Sequence, residues 1–203
     1  MRRLKVKNYL FFLLLVCCFS VNAKTIVFLG DSLTEGYGIA KKQGYVALVE
    51  KQLKKNGYVK VKVINASVSG STSASAVSRL KWFLKAKPDI LVLALGANDG
   101  LRGVNTKVTF ENLEKTILLA KKSKLKVLLL GLRMPPNYGE SFTQSFKKIY
   151  YDLAKKHKLA FVPKLLKGVA GVKKYNQVDG IHPNEAGHKV LFKNIYPTLR
   201  KLL

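Results

Sequence analysis

Thr25-Ile-Val-Phe-Leu-Gly-Asp-Ser-Leu-Thr34 is an apolar, partly β-branched run that breaks at a glycine into a short polar turn. A strand with almost no alternation of polar residues must be covered on both faces, which is the condition of a parallel sheet. Four further strand-like runs follow: Val59 to Ile64, Ile90 to Leu95, Val127 to Leu132 and Leu159 to Val162. All five read as buried strands. Between and after them the apolar period becomes helical, over Tyr45 to Lys55, Ser73 to Lys85, Thr109 to Lys122, Ser141 to His157 and Asn184 to Leu203, with Pro183 suited to the first turn of the last helix. Strand and helix alternate without an internal repeat or linker. The expectation is one three-layer α/β/α domain with a five-stranded parallel sheet in flavodoxin-like order, and ligands in such sheets sit at the carboxyl ends of the strands.

The chain of 203 residues is 48% hydrophobic with mean hydropathy +0.04, too apolar for disorder and too polar for a multispan membrane protein. Its start reads as a secretory leader. Arg2, Arg3, Lys5 and Lys7 make a positive head, Tyr9 to Phe19 an apolar stretch of eleven residues, and Val21-Asn22-Ala23 a small-residue cleavage site. Eleven residues fall short of the ~20 that span a bilayer as a helix. The expectation is a signal peptide over 1–23, cleaved after Ala23, and a domain over 24–203 that is periplasmic or secreted from a bacterium. The alternative, acylation at Cys17 or Cys18, would put Val16 or Cys17 where a small Gly or Ala is wanted. Those are the two cysteines of the chain, so the mature protein would have none.

Lys and Arg number 37 against 11 Asp and Glu, a net charge of +26 that falls to +22 when the four leader cations leave. Such a surface suits nucleic acid, an anionic membrane, or a solvated exterior rich in lysine. The lysines come in dispersed pairs, among them Lys41-Lys42, Lys121-Lys122 and Lys173-Lys174, with no Arg-rich or aromatic-interleaved binding stretch. Together with the leader this argues against nucleic acid and leaves peripheral contact with an anionic membrane in play.

Four polar blocks stand at the expected carboxyl edge: Gly30-Asp31-Ser32, Asn65-Ala-Ser-Val-Ser-Gly70, Gly96-Ala-Asn98-Asp-Gly100 and Asp179-Gly-Ile-His182. Each alone is ordinary turn or cap vocabulary. His157 and His188, in lysine-rich helices, read as solvated. In combination the blocks supply what acyl transfer needs. Ser32 is the candidate nucleophile, His182 its base and Asp179 the carboxylate that orients the imidazole, the three-residue spacing letting Asp179 fold back onto the ring. Backbone N–H groups of Ser32 and Gly70 and the Asn98 amide are candidate donors to the oxyanion. No Gly-x-Ser-x-Gly elbow, phosphate loop or dinucleotide fingerprint is present, and the histidines make no metal cluster, so neither cofactor nor metal is expected.

These four blocks, in this order, resemble the SGNH (GDSL) hydrolase superfamily, with Ser32, Gly70, Asn98 and His182 at its four name-giving positions. Within it the chain is similar to the branch of bacterial periplasmic multifunctional acyl-CoA thioesterases, lysophospholipases and proteases. The likeness lies in Phe28-Leu-Gly-Asp-Ser-Leu-Thr-Glu-Gly-Tyr-Gly38, Gly96 to Gly103, Arg133-Met-Pro-Pro-Asn-Tyr-Gly139 and Asp179-Gly-Ile-His-Pro-Asn184. Met134 and Pro136 depart slightly from the usual residues of their loop. The resemblance implies hydrolysis of acyl thioesters and carboxylic esters without a metal; a monomer is expected, acting on small-molecule acyl substrates. It also implies an acyl groove between the loop after the second strand and the Met134 to Tyr138 loop, with Met134, Pro135 and Tyr138 as substrate-binding residues. A carbohydrate acetylesterase of the same superfamily, or a basic binding module without catalysis, are the alternatives. The apolar Met134-Pro135-Pro136 wall weighs against the first and the leader against the second.

Overall fold

The computed structural model describes residues 24–203; the proposed leader lies outside them. Five parallel strands, β1 (Thr25–Gly30), β2 (Lys62–Asn65), β3 (Ile90–Ala94), β4 (Lys126–Leu130) and β5 (Ala160–Val162), form one sheet in the order β2-β1-β3-β4-β5. β1 and β3 pair in register from Ile26 opposite Ile90 to Gly30 opposite Ala94. Ile26 to Leu29 and Ile90 to Leu93 are fully buried, as residues covered on both faces must be. The covering layers are α2 (Tyr45–Lys55) with α7 (Glu185–Arg200) on one face and α3 (Ala76–Phe83), α5 (Thr106–Lys122) and α6 (Glu140–His157) on the other. Two short helices, α1 (Ser32–Glu35) and α4 (Ala97–Leu101), leave the ends of β1 and β3. The chain reverses direction across the sheet between β1 and β3, the switch point where a crevice opens at the carboxyl ends.

Several expected boundaries move. The second strand begins at Lys62, not Val59, because Val61 N–H closes a turn onto Tyr58 O and leaves Val59 68% exposed. Nor is it buried: β2 is an edge, and Lys62 at its start faces water, as does Lys60 just before it, a charge pattern that discourages pairing with other chains. The helix read over Ser73 to Lys85 is α over Ala76–Phe83, with a 3-10 turn at each end. Thr106, not Thr109, starts α5, because the Asn105 side chain caps Lys107 N–H at 2.9 Å. Likewise Asn184 caps α7 through Gly187 N–H at 3.0 Å, which leaves Pro183 outside the helix.

The two helical histidines are not solvated. His157 Nε2 lies 2.6 Å from Glu114 Oε1, joining α6 to α5. His188 is 1% exposed, and its Nδ1 accepts the N–H of Tyr45 at 3.2 Å. α2 starts at a glycine with no capping side chain of its own, so an α7 imidazole serves one of its orphan donors. Burial lowers the His188 pKa to about 4, so the ring is neutral and Nδ1 is free to accept.

Candidate active site

At the end of β1 the chain must turn sharply, and Gly30 permits it: a Cβ there would sit 2.4 Å from Thr34 Oγ1. Asp31 caps the turn by accepting Leu33 N–H at 3.1 Å, which presents Ser32 as the first residue of α1. Across the crevice, Asp179 Oδ1 accepts the N–H groups of Ile181 and His182, each at 3.0 Å, folding the loop back on itself. His182 Nδ1 then meets Asp179 Oδ2 at 2.7 Å and His182 Nε2 meets Ser32 Oγ at 3.0 Å. With Nδ1–H donating to the carboxylate, Nε2 carries the lone pair that the Ser32 hydroxyl can donate to. The His182 backbone and ring hold Asp179 down at about 2, so the carboxylate is ionised wherever the imidazole is neutral.

Tyr37 and Gln177 brace this geometry, and neither stood out in the sequence. The Tyr37 ring lies 4.7 Å from the His182 ring, and Gln177 Nε2 donates to Tyr37 O at 2.7 Å and Pro183 O at 3.1 Å. The contacts that join Tyr37 to His182 and Gln177 to Tyr37 span more than a hundred residues of sequence, where no local signal exists.

The three candidate oxyanion donors come from three loops held together by buried polar groups. Gly70 has φ of 77°, a conformation open to glycine, and among the described residues neither its N–H nor that of Ser32 donates to a protein acceptor. Asn98 Nδ2 donates one hydrogen to Ser71 O at 3.0 Å, leaving the other. Asp99, 1% exposed, accepts Ser73 N–H at 2.8 Å and Ser73 Oγ–H at 2.5 Å, tying the Gly70 loop to the turn that carries Asn98. Glu35 accepts Ser69 N–H at 2.6 Å, and the Arg79 guanidinium donates to Gly30 O at 3.2 Å, Ser71 Oγ at 2.9 Å and Ala66 O. The Gly70 loop is thus fixed from three sides.

A cavity of about 800 Å³ opens beside Ser32 and His182. Gly70 and Asn98 line it near the serine, and Leu101, Leu132, Met134, Pro135, Pro136 and Leu166 form apolar walls reaching toward β5. Met134 is held against Gly100, where a Cβ would fall 2.2 Å from its sulfur. Met134 and Pro135 therefore stand where the sequence placed them. Tyr138 does not line the cavity: its hydroxyl donates to Leu101 O at 3.3 Å and its ring stacks on Phe142. Arg133, Lys164, Ala170 and Ile181 line it too, and as residue types they carry no signal that sequence alone could separate from ordinary surface and core. Among the described residues no group of His, Cys, Asp and Glu is placed to hold a metal ion.

Comparison with known proteins agrees with this fold. The GDSL-like Lipase/Acylhydrolase family matches residues 28–190. Esterase TesA of Pseudomonas aeruginosa is 43% identical over 182 residues, covering 89% of this chain and 90% of the relative. Thioesterase 1/protease 1/lysophospholipase L1 of Escherichia coli K12 is 35% identical over 174 residues, covering 85% and 82%. A crystal structure of TesA superposes with a TM-score of 0.86 at 42% identity, covering 89% of this chain and all of that one.

Proposed function

The chain belongs to the GDSL-like lipase/acylhydrolase family, and from that premise we propose that it hydrolyses carboxylic esters and thioesters of acyl chains through an acyl-enzyme on Ser32. Ser32 Oγ attacks the carbonyl carbon while His182 Nε2 takes its proton, and Asp179 steadies the imidazolium that forms. The carbonyl oxygen, now negative, receives the N–H groups of Ser32 and Gly70 and the remaining Asn98 hydrogen. His182 returns the proton to the departing alkoxide or thiolate, then draws one from water, which attacks the acyl-enzyme, and passes it to Ser32 Oγ as the ester bond to the serine breaks and the carboxylic acid leaves. The observation that carries this reading is the hydrogen-bonded line from Asp179 through His182 to Ser32 at the mouth of an apolar cavity.

The cavity walls favour an acyl chain over an acetylated sugar, which would want polar groups along its length. Names carried by the relatives, esterase, arylesterase, thioesterase and lysophospholipase, fit acyl-CoA, lysophospholipid and aryl esters as substrates. The positive head, apolar stretch and small-residue site of 1–23 support export to the periplasm or beyond, with cleavage after Ala23. Among the described residues no helix is long and apolar enough to cross a membrane.

Ser32→Ala tests the assignment. The variant removes one atom at a turn and should fold as the parent does, yet lose both nitrophenyl ester turnover and covalent labelling by an alkyl phosphonate. Stoichiometric labelling of the variant would place the nucleophile elsewhere.

A further inference from the structure

Ten large apolar side chains among the described residues stand out into solvent, and five of them, Tyr37, Val68, Leu101, Val178 and Ile181, lie on the loops that frame the mouth of the cavity. Tyr37, Leu101 and Ile181 line it directly, Val68 precedes Ser69 and Gly70, and Val178 precedes Asp179. Val178 is fully exposed, so nothing in the fold requires a valine there. Keeping apolar area in water costs roughly 25 cal/mol per Å², and gathering it at one opening points to something that covers it.

The charge around the rim says what. Arg102, Arg133, Lys164, Lys167, Lys173 and Lys174 stand on the same or adjoining loops. Of the acids on these loops, Glu35 is engaged by Ser69, Asp179 by His182, and Asp31 and Asp99 are buried, while Glu140 and Glu185 stand exposed at the starts of α6 and α7, outnumbered by the six cations. Exposed apolar side chains and cations on the same loops complement the surface of an anionic lipid bilayer, headgroups meeting lysines and acyl region meeting valines. A second copy of this chain, as cationic as the first, would be repelled.

We infer that the mouth of the proposed active site is a docking surface for anionic bilayers, with Val68 and Val178 entering the headgroup boundary so that acyl substrates pass from the lipid into the cavity. The inference rests on the proposed function for its purpose, while its test reads binding without turnover.

Mature protein is co-sedimented with phosphatidylglycerol vesicles at fixed ionic strength, comparing the parent, Val178→Ser alone, Val68→Ser with Val178→Ser, and a control carrying Val59→Ser and Leu118→Ser. Both control positions are exposed apolar residues outside the rim, Val59 at the amino edge of the sheet before β2 and Leu118 toward the end of α5. The double rim variant should partition roughly tenfold less or weaker, by the scale of two valine side chains withdrawn from an apolar contact. Val178→Ser alone should lie between it and the parent, and the control should bind as the parent does. Hydrolysis of a soluble nitrophenyl ester should be unchanged in every variant, which reports an intact fold. A parent that ignores the vesicles, a rim variant that binds like the parent, or a control that loses as much would each overturn the inference. A parent that binds the vesicles but hydrolyses no ester, with rim variants that lose binding while keeping the parent's circular dichroism and melting temperature, would uphold the docking surface and sink the proposed function instead.

Discussion

One hydrogen of the Asn98 amide is already committed to Ser71 O, so the group arrives oriented, with its second hydrogen available to a carbonyl oxygen as charge develops there. A donor placed this way acts more on the transition state than on bound substrate. Asn98→Ala should therefore lower kcat about 100-fold or more with little change in KM, measured on a nitrophenyl ester. An unchanged kcat with a raised KM would move Asn98 from catalysis to binding. Ser32, Asn98, Asp179 and His182 were legible in the sequence because polar groups of reactive types at the ends of apolar runs have few structural reasons to be there together. Tyr37, Gln177 and Asp99 were not, since each acts through a partner that only the fold brings near. Tyr138 looked like cavity wall on the strength of its neighbours, and turned away because Leu101 O and the Phe142 ring offered its hydroxyl and face better partners.

Element by element, the alternation of apolar runs and helical periods yielded five strands and five long helices, and the errors fall where a long-range contact or a side-chain cap decides. β2 lost its first residues because an edge strand is held on one side only, and α7 shed Pro183 to an asparagine cap. His188 read as surface because its lysine-rich surroundings hid the contact with α2. That contact carries a pH dependence. His188 is neutral in the fold down to about 4 and protonates in the unfolded chain near 6.5, so between those values the unfolded state binds the extra proton and stability rises with pH. Asp31 works the other way. Burial raises its pKa from 3.8 to about 7, with Oδ2 lacking any partner, so across the same window the folded state holds the extra proton and stability falls as pH rises. Each slope reaches about 1.4 kcal/mol per pH unit, and the two oppose. Urea denaturation from pH 4.5 to 6.5 should show a shallow profile for the parent. His188→Asn, whose side-chain oxygen can still accept Tyr45 N–H, should gain stability toward acid, and Asp31→Asn should gain it toward neutrality. Variants that share the parent's slope would mean that neither group titrates across this range.

At the scale of the whole molecule, the +22 charge of residues 24–203 is left largely unneutralised. Four lysines, Lys24, Lys54, Lys148 and Lys156, find carboxylates within 4 Å among the described residues, three of these on exposed or half-exposed helix surface where an ion pair is worth little. The remaining cations project a field that exposed charges sustain over roughly 8 Å at physiological ionic strength and over only a few Å near 0.5 M. Contact of the apolar rim with a bilayer depends on that field for encounter and on the valines for retention, so salt and rim substitutions act on different parts of one process. Hydrolysis of a lysophospholipid presented in phosphatidylglycerol vesicles should slow as salt rises, while a soluble neutral nitrophenyl ester, whose chemistry lies within a few ångströms of Ser32, should hardly respond. The same lysophospholipid in phosphatidylcholine vesicles offers the valines a surface without the field, so its rate should start lower and stay flat. A common salt response across all three substrates would point to an effect on the enzyme itself, and a flat response in all three would make the lysines a solvated exterior with no part in substrate access.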